Sequence, residues 1–353
     1  MPATVVDARA LAKDIKAWAR ELGFQQAGIA DPDLSADEKR LLAWLDAGRH
    51  GEMHYMRRHG LKRSRPALLH PGTLRVISVR MDYLPRDAAP ASAVLQEPTL
   101  AFISRYALGR DYHKLLRKRL QKLADRIESA VGDFRYRVFT DSAPVLEKPL
   151  ASAAGLGWTG KHTNLINREA GSWFFLGEIY TDLALPTDRP GSDHCGTCRA
   201  CLDACPTGAI VAPYELDARL CISYLTIELR GPIPESLRPL IGNRIFGCDD
   251  CQLVCPWNRF ATATDEPDFS PRHGLDSAPL VALFRWSEDE FLRYTEGTAI
   301  RRIGHVCWLR NIAVALGNGP GGKAVIDALL ARRGHPSDLV REHVDWALQQ
   351  HGV

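Results

Sequence analysis

Eight of the nine cysteines stand between positions 195 and 255, and that crowding constrains this chain more than any other feature. Disulfides are rare in reducing compartments, so thiols at this density point to metal binding. Cys195, Cys198, Cys201 and Cys205, followed by Pro206, spell C-x2-C-x2-C-x3-C-P, the run that holds [4Fe–4S] clusters in bacterial ferredoxins. A cubane cluster wants a thiolate at four corners. One tight loop supplies three of them, and the x3-C-P step carries the fourth to a second cluster. The downstream copy is one thiol short: Cys248, Cys251 and Cys255, then Pro256. Cys221, between the two runs, fills the vacant place and makes eight ligands for two clusters. The crossover rule groups Cys195, Cys198 and Cys201 with Cys255, and Cys248 and Cys251 with Cys205 and, by elimination, Cys221. Zinc sites also use C-x2-C pairs, but zinc needs neither the third thiol nor the paired Cys-Pro endings. Cys307 lies in an apolar helical stretch and reads as a packing residue.

The 353 residues suffice for two or three domains. A hydrophobic share of 45% with 25% charged residues is ordinary for a globular chain, which sets aside disordered and collagen-like classes. No apolar run approaches a bilayer-spanning length, so no membrane association is expected. The opening segment MPATVVDARALAKDIKAWAR lacks the order of a secretory signal, and there is no twin-arginine stretch, so a cytoplasmic protein is expected. Before the cysteines, the pattern predicts a mixed α/β unit. Helices are expected at 7–21, 36–47, 112–130 and 144–154, the last with Pro144 in its first turn, and strands at 74–81, 136–140, 163–167 and 173–183, the last broken by Gly177. After Pro256, Ser287 to Glu290 reads as a capping box. Helices at 301–316, 322–333 and 338–349 then suggest a stacked helical-repeat pair that must pack on the rest of the protein.

Charge is uneven. Residues 57–65 carry Arg57, Arg58, Lys62, Arg63 and Arg65 without an acid, and 110–126 carry seven basic residues against Asp111 and Asp125. Such stripes suit a polyanion, although a solvated helix face has the same look. No G-x-G-x-x-G follows a strand. Gly155, Gly160 and Lys161 have phosphate-loop spacing, but His162 replaces the Ser or Thr and no strand precedes them, so nucleotide hydrolysis is not expected. Two clusters need a destination for electrons, and a bare ferredoxin needs no long α/β unit, so the first 185 residues should hold a redox centre or substrate.

The segments VFTDSAPVLEKPLA (138–151), GLGWTGKHTNLIN (155–167), GSWFFLGEIYTDL (171–183), HCGTCRACLDACPTGAI (194–210), LCISYLTIE (220–228) and FGCDDCQLVCPWN (246–258) together resemble the epoxyqueuosine reductase family. The resemblance runs from about residue 10 to the C-terminus. It implies an α+β chain with an N-terminal α/β cobalamin-binding domain (1–185), a bacterial-type two-cluster ferredoxin-like domain (186–260) and a C-terminal HEAT-like helical domain (261–353). It implies reductive removal of the epoxide oxygen from epoxyqueuosine in tRNA, with cobalamin held without an axial histidine. Electrons would come from an external low-potential donor through the two [4Fe–4S] clusters. A monomer is expected.

By the same resemblance, Asp141 matches the proton donor. A carboxylate at a strand-to-helix junction could equally be an N-cap. Burial against the corrin would have to raise its pKa for it to hold a proton. Tyr106, Lys161, His162 and Asn164 fall in motifs around the cobalamin, and His162 departs from the asparagine expected there. Ser223, Tyr224 and Thr226 follow a cluster ligand. Asp249 and Asp250 sit between Cys248 and Cys251, where the bland reading is solvated acids in a tight loop. A tRNA substrate turns the two basic stripes into phosphate contacts, and the modified base must leave its stack to react. The rivals are a cobalamin-dependent reductive dehalogenase and a non-catalytic iron–sulfur electron carrier. The missing export signal and the helical tail speak against the first, and the long α/β unit against the second.

Overall fold

The structure, a computed structural model, describes residues 7–353; residues 1–6, the start of the segment read for a leader, lie outside the described residues. A four-stranded sheet organises the N-terminal half: β1 (Gln26–Ala30), β2 (Arg75–Asp82), β3 (Tyr136–Phe139) and β4 (Phe174–Thr181), in the order β1-β2-β4-β3. Every pairing is antiparallel. Strand β4 is buried at every position, because helices cover both sheet faces. On one face, Ile77, Val79, Phe175 and Ile179 pack on α1 (Ala8–Glu21) and α2 (Tyr112–Val131). On the other, Val76, Leu176 and Tyr180 meet α3 (Glu147–Ala153).

Several boundaries differ from expectation. Gly177 does not break its strand: it pairs in register with Val79. A Cβ at Gly177 would come within 2.8 Å of Leu120 Cδ1, so the glycine lets α2 close on the sheet. The helix expected from Pro144 starts at Glu147, because residues 141–146 form an irregular turn that carries Asp141 out of the sheet. The strand expected over 163–167 shrinks to Leu165–Ile166, paired with Trp158–Thr159. Strand β1 was not anticipated.

The C-terminal half has a core of its own that reaches back into the first half. Residues 101–108 pack with residues 218–348 in one hydrophobic cluster. Phe102–Ile103 also pairs in parallel with Arg244–Phe246. Helix α4 (Ile222–Ile227) follows Cys221 directly. Beneath it runs α5 (Gly304–Asn318), buried continuously from Cys307 to Leu316, with Cys307 among apolar neighbours. Helices α6 (Lys323–Leu330) and α7 (Asp338–Gln350) complete the tail. The capping box at Ser287 and Glu290 is present. No helix among the described residues is long and apolar enough to cross a membrane.

Candidate active site at the junction of the sheet and the cysteine loops

A cavity of about 1010 Å³ opens where the strand ends, the cysteine loops and the tail meet. Phe174, Phe175 and Tyr106 give it an aromatic surface, and Tyr112 stacks on Phe175 at 3.8 Å between ring centroids. Cys205, Cys221, Cys248 and Cys251 all line it. Cys195, Cys198, Cys201 and Cys255 do not, and Cys198 is exposed.

The thiols fall into two neighbourhoods. Burial pushes Cys201 up to about 11, and the nearby Cys255, Cys195 and Cys198 add to the effect. Burial likewise raises Cys251, followed by Cys221, Asp249, Cys205 and, more weakly, Cys201. Cys248 in turn lies near Cys221. Around a single zinc ion, thiolates lie within about 4 Å of one another. Among the described residues no three Cys, His, Asp or Glu side chains converge tightly enough to hold one ion. The chemistry of the donor set, eight free thiols in the loops between 195 and 255, suits iron–sulfur clusters. Backbone N–H groups already point at the sulfurs, as from Ala209 to Cys205 Sγ at 3.3 Å.

Asp141 lines the cavity from the turn after β3. It is not an N-cap, since α3 begins six residues later. Its Oδ1 pairs with His113 Nε2, and its Oδ2 accepts from the Tyr112 hydroxyl. Burial alone would raise the Asp141 pKa, but the hydrogen bond and charge of His113 outweigh it and hold the carboxyl below its usual range. Burial opposes charge on His113 as well, yet Asp111 (2.6 Å from Nδ1) and Asp141 push its pKa up to about 9. Near neutral pH the proton of this coupled pair therefore rests mainly on the imidazole. His113 was missed in the sequence, although it sits at the start of a helix directly after Asp111 and Tyr112.

His162, Asn164, Ser223, Tyr224, Asp249 and Asp250 also line the cavity. His162 Nδ1 accepts from the Asn164 backbone N–H at 3.1 Å, so the remaining ring proton belongs on Nε2, which is buried without a partner. Burial and the charge of Lys148 lower its pKa to about 4, which keeps the ring neutral. Asp249 and Asp250 are not solvated acids. Asp249 is 1% exposed and accepts from Ser104 Oγ at 2.6 Å and the Arg105 N–H at 2.8 Å. Asp250 binds Arg244 through two hydrogen bonds of 2.6 and 2.7 Å. Lys161 and Thr226 stand outside the cavity lining. The Lys161 ammonium donates to the carbonyls of Gly196 and Cys198 at 2.6 and 2.9 Å, gripping the first cysteine loop, and no phosphate loop forms there. The Thr226 hydroxyl accepts from the Gly247 N–H at 2.9 Å. Lys148, missed in the sequence, lines the cavity and donates to the Asn164 side chain at 3.0 Å.

The comparisons with known proteins fit this geometry. A 4Fe–4S double cluster binding domain matches residues 194–258, and the epoxyqueuosine reductase QueG model matches residues 63–142. An epoxyqueuosine reductase of Pseudomonas aeruginosa is 64% identical over 98% of this chain and 96% of its own length. That of Salmonella typhimurium is 63% identical over 98% of this chain and 89% of its own. The chain belongs to the epoxyqueuosine reductase family. Its activity is accordingly the reduction of epoxyqueuosine to queuosine, and it is an oxidoreductase. Among solved structures, an epoxyqueuosine reductase with an epoxyqueuosine-modified tRNA-Tyr stem loop superposes with a TM-score of 0.89. It is 28% identical, and the match covers 98% of this chain and 92% of that one.

Of the basic stripes, Arg63 is buried and Arg65 is paired with Glu38, Arg119 with Glu266 and Arg126 with Glu21. Arg58, Lys62, Lys114, Arg117 and Lys118 are exposed and have no salt-bridge partner among the described residues. Lys114 lies at the cavity, as does Arg301 from the tail, a cation that the stripes did not include.

Proposed function

We propose that the cavity holds cobalamin against Phe174, Phe175 and Tyr106, that the wobble nucleoside of a tRNA enters beside Lys114 and Arg301, and that the two thiol neighbourhoods each hold a [4Fe–4S] cluster. The observation that carries this reading is a single cavity wall combining four cysteine thiols with the paired Asp141 and His113. Cobalamin, when bound, supplies a strongly reducing metal centre for breaking a carbon–oxygen bond. The unpartnered His162 Nε2–H fits an amide of the corrin rim and, carrying the proton, is a poor cobalt ligand. Cys205, Cys221, Cys248 and Cys251 hold the cluster nearer the cavity. Cys195, Cys198, Cys201 and Cys255 hold the outer one, where Cys198 is open to an external low-potential donor. Asp141, recharged by His113, delivers a proton to the epoxide oxygen.

In this reading residues 1–185 provide the cobalamin-binding part, 186–260 the ferredoxin-like part and 261–353 a HEAT-like tail, and the protein acts as a monomer. The tail also edges the cavity through residues 297–302. Asp141→Asn should keep the visible spectra of both cofactors and lower turnover on epoxyqueuosine-containing tRNA by roughly 10²–10⁴-fold, the usual range for a general acid. Wild-type turnover would remove Asp141 from the reaction.

A further inference from the structure

Removing an epoxide oxygen as water breaks two carbon–oxygen bonds and forms a carbon–carbon double bond. It consumes two electrons and two protons. The clusters account for the electrons, and the Asp141–His113 pair carries one proton. A second acid is needed in every turnover.

Behind Asp141 lies a smaller cavity of about 110 Å³, lined by Asp141, Tyr112, Asn164, Lys148 and Glu147. Glu147 opens helix α3, and its Oε2 is buried without a hydrogen-bond partner. Farther in, Glu178 on β4 is 0% exposed, with both carboxyl oxygens unpartnered. Its cross-strand neighbour Ser78 and the nearby Thr140 also have buried, unpartnered hydroxyl oxygens. Unpartnered buried carboxylates are very costly, so such groups take up a proton instead. Lys148, a cation beside them, directs its ammonium to Thr163 O at 3.3 Å and Asn164 Oδ1 at 3.0 Å, not to Glu147.

We propose that Glu147 is the second proton donor of the reaction, passing its proton to Asp141 across the small cavity that both side chains line. This rests on Asp141 serving as the group that meets the substrate. Once Asp141 has given up the first proton, the Glu147 acid refills it, and Asp141 protonates the oxygen as it leaves as water. Burial and the charge of Asp141 push the Glu147 pKa up to about 8, against the opposing charges of Lys148 and His113. Burial, then Glu147 and Asp141, keep Glu178 protonated as well.

The test uses the full chain. Infrared spectroscopy of the cofactor-free protein at pH 7 should show a protonated-carboxyl band that Glu147→Gln weakens, leaving the share of Glu178. With both cofactors and modified tRNA, E147Q should lower kcat by about 100-fold with KM unchanged. An unchanged band or a wild-type kcat in E147Q would overturn the proposal. If E147Q does not fold, the wild-type protein decides: the band must weaken as pH rises through about 8, and a wild-type spectrum with no protonated-carboxyl band at pH 7 overturns the idea. The parallel Asp141→Asn variant separates the failures. Full activity in D141N removes both readings, whereas an inactive D141N beside a fully active E147Q removes only the role of Glu147.

Discussion

Arg310→Met tests how the tail holds up the electron path. Arg310 is 0% exposed in α5. Its guanidinium donates to the carbonyls of Leu225, Leu229 and Gly231 at 2.7, 2.8 and 2.8 Å. Asn311 beside it donates to the carbonyls of Thr226 and Ile245, both at 2.8 Å. The first three carbonyls belong to the end of α4 and the loop after it, and α4 starts directly after Cys221. Hydrogen bonds from a charged donor are worth roughly 1.5–3 kcal/mol each, so three contribute about 4.5–9 kcal/mol. Against this, burial lowers the Arg310 pKa to about 10, a cost of roughly 3.5 kcal/mol at about 1.4 kcal/mol per unit. The net is about 1–5.5 kcal/mol. Methionine has no donor, so a loss of about 3 kcal/mol is expected. In urea, followed by tryptophan fluorescence with Trp308 close by, the midpoint should drop by about 1 M or more if the slope is near 3 kcal/mol per M. Iron should fall from about eight per chain towards four as Cys221 loses its seat. A shift below about 1 kcal/mol with all the iron retained would refute the argument that the tail anchors the inner cluster.

Other consequences are open to direct measurement. The His113 ring, read by NMR in the cofactor-free protein, should titrate near pH 9. A raised histidine pKa means the charged form persists below that pH and is lost above it, and Asp141→Asn should move the midpoint down because an anion that supports the imidazolium is gone; an unmoved midpoint would break the pairing. Cys221→Ser should halve the iron and sulfide content, and full content would end its role as the eighth ligand. The affinity for tRNA should fall steeply with salt, and replacing Lys114 or Arg117 should flatten the log–log slope by roughly 0.7–0.9 each; an unchanged slope would take those residues off the phosphates.

What the sequence revealed depended on how local the information is. The first cysteine run encodes its ligands in eleven consecutive residues, and Cys221 follows from the count once two clusters are assumed. Strand β1 was hidden because QAGIA is short and contains Gly28, whose missing side chain admits the Ala154 carbonyl: a Cβ there would lie 2.0 Å from that oxygen. The same kind of close approach explains Gly177, which reads as a break along the chain but is a packing requirement across it. His113 and Lys148 looked like members of a basic surface and an ordinary helix. Their significance comes from contacts across 28 residues to Asp141 and 16 to Asn164, which no local pattern carries. Lys161 was placed with the cofactor by its motif, whereas its ammonium serves the loop of the outer thiols.

In the proposed reaction, electrons and protons reach the cavity through different parts of the chain. The thiols come from loops between 195 and 255, with the exposed Cys198 in the outer set and Cys221 and Cys251 at the cavity wall. The acids come from the sheet side: Asp141 after β3, Glu147 at the start of α3, Glu178 on β4 and His113 on α2. The two supply lines meet only at the cavity, so damage to one should leave the other readable. A chain lacking Cys221 should keep the high His113 midpoint, since Asp111 and Asp141 set it and neither belongs to the thiol loops. A chain lacking the Asp141 carboxyl should keep all its iron, because its hydrogen-bond partners, Tyr112 and His113, lie on α2. Separate supply has a chemical reason. A strongly reduced centre in easy contact with acids would spend its electrons on protons, so the proton should reach the epoxide oxygen from the sheet side while the electrons arrive through the thiol loops.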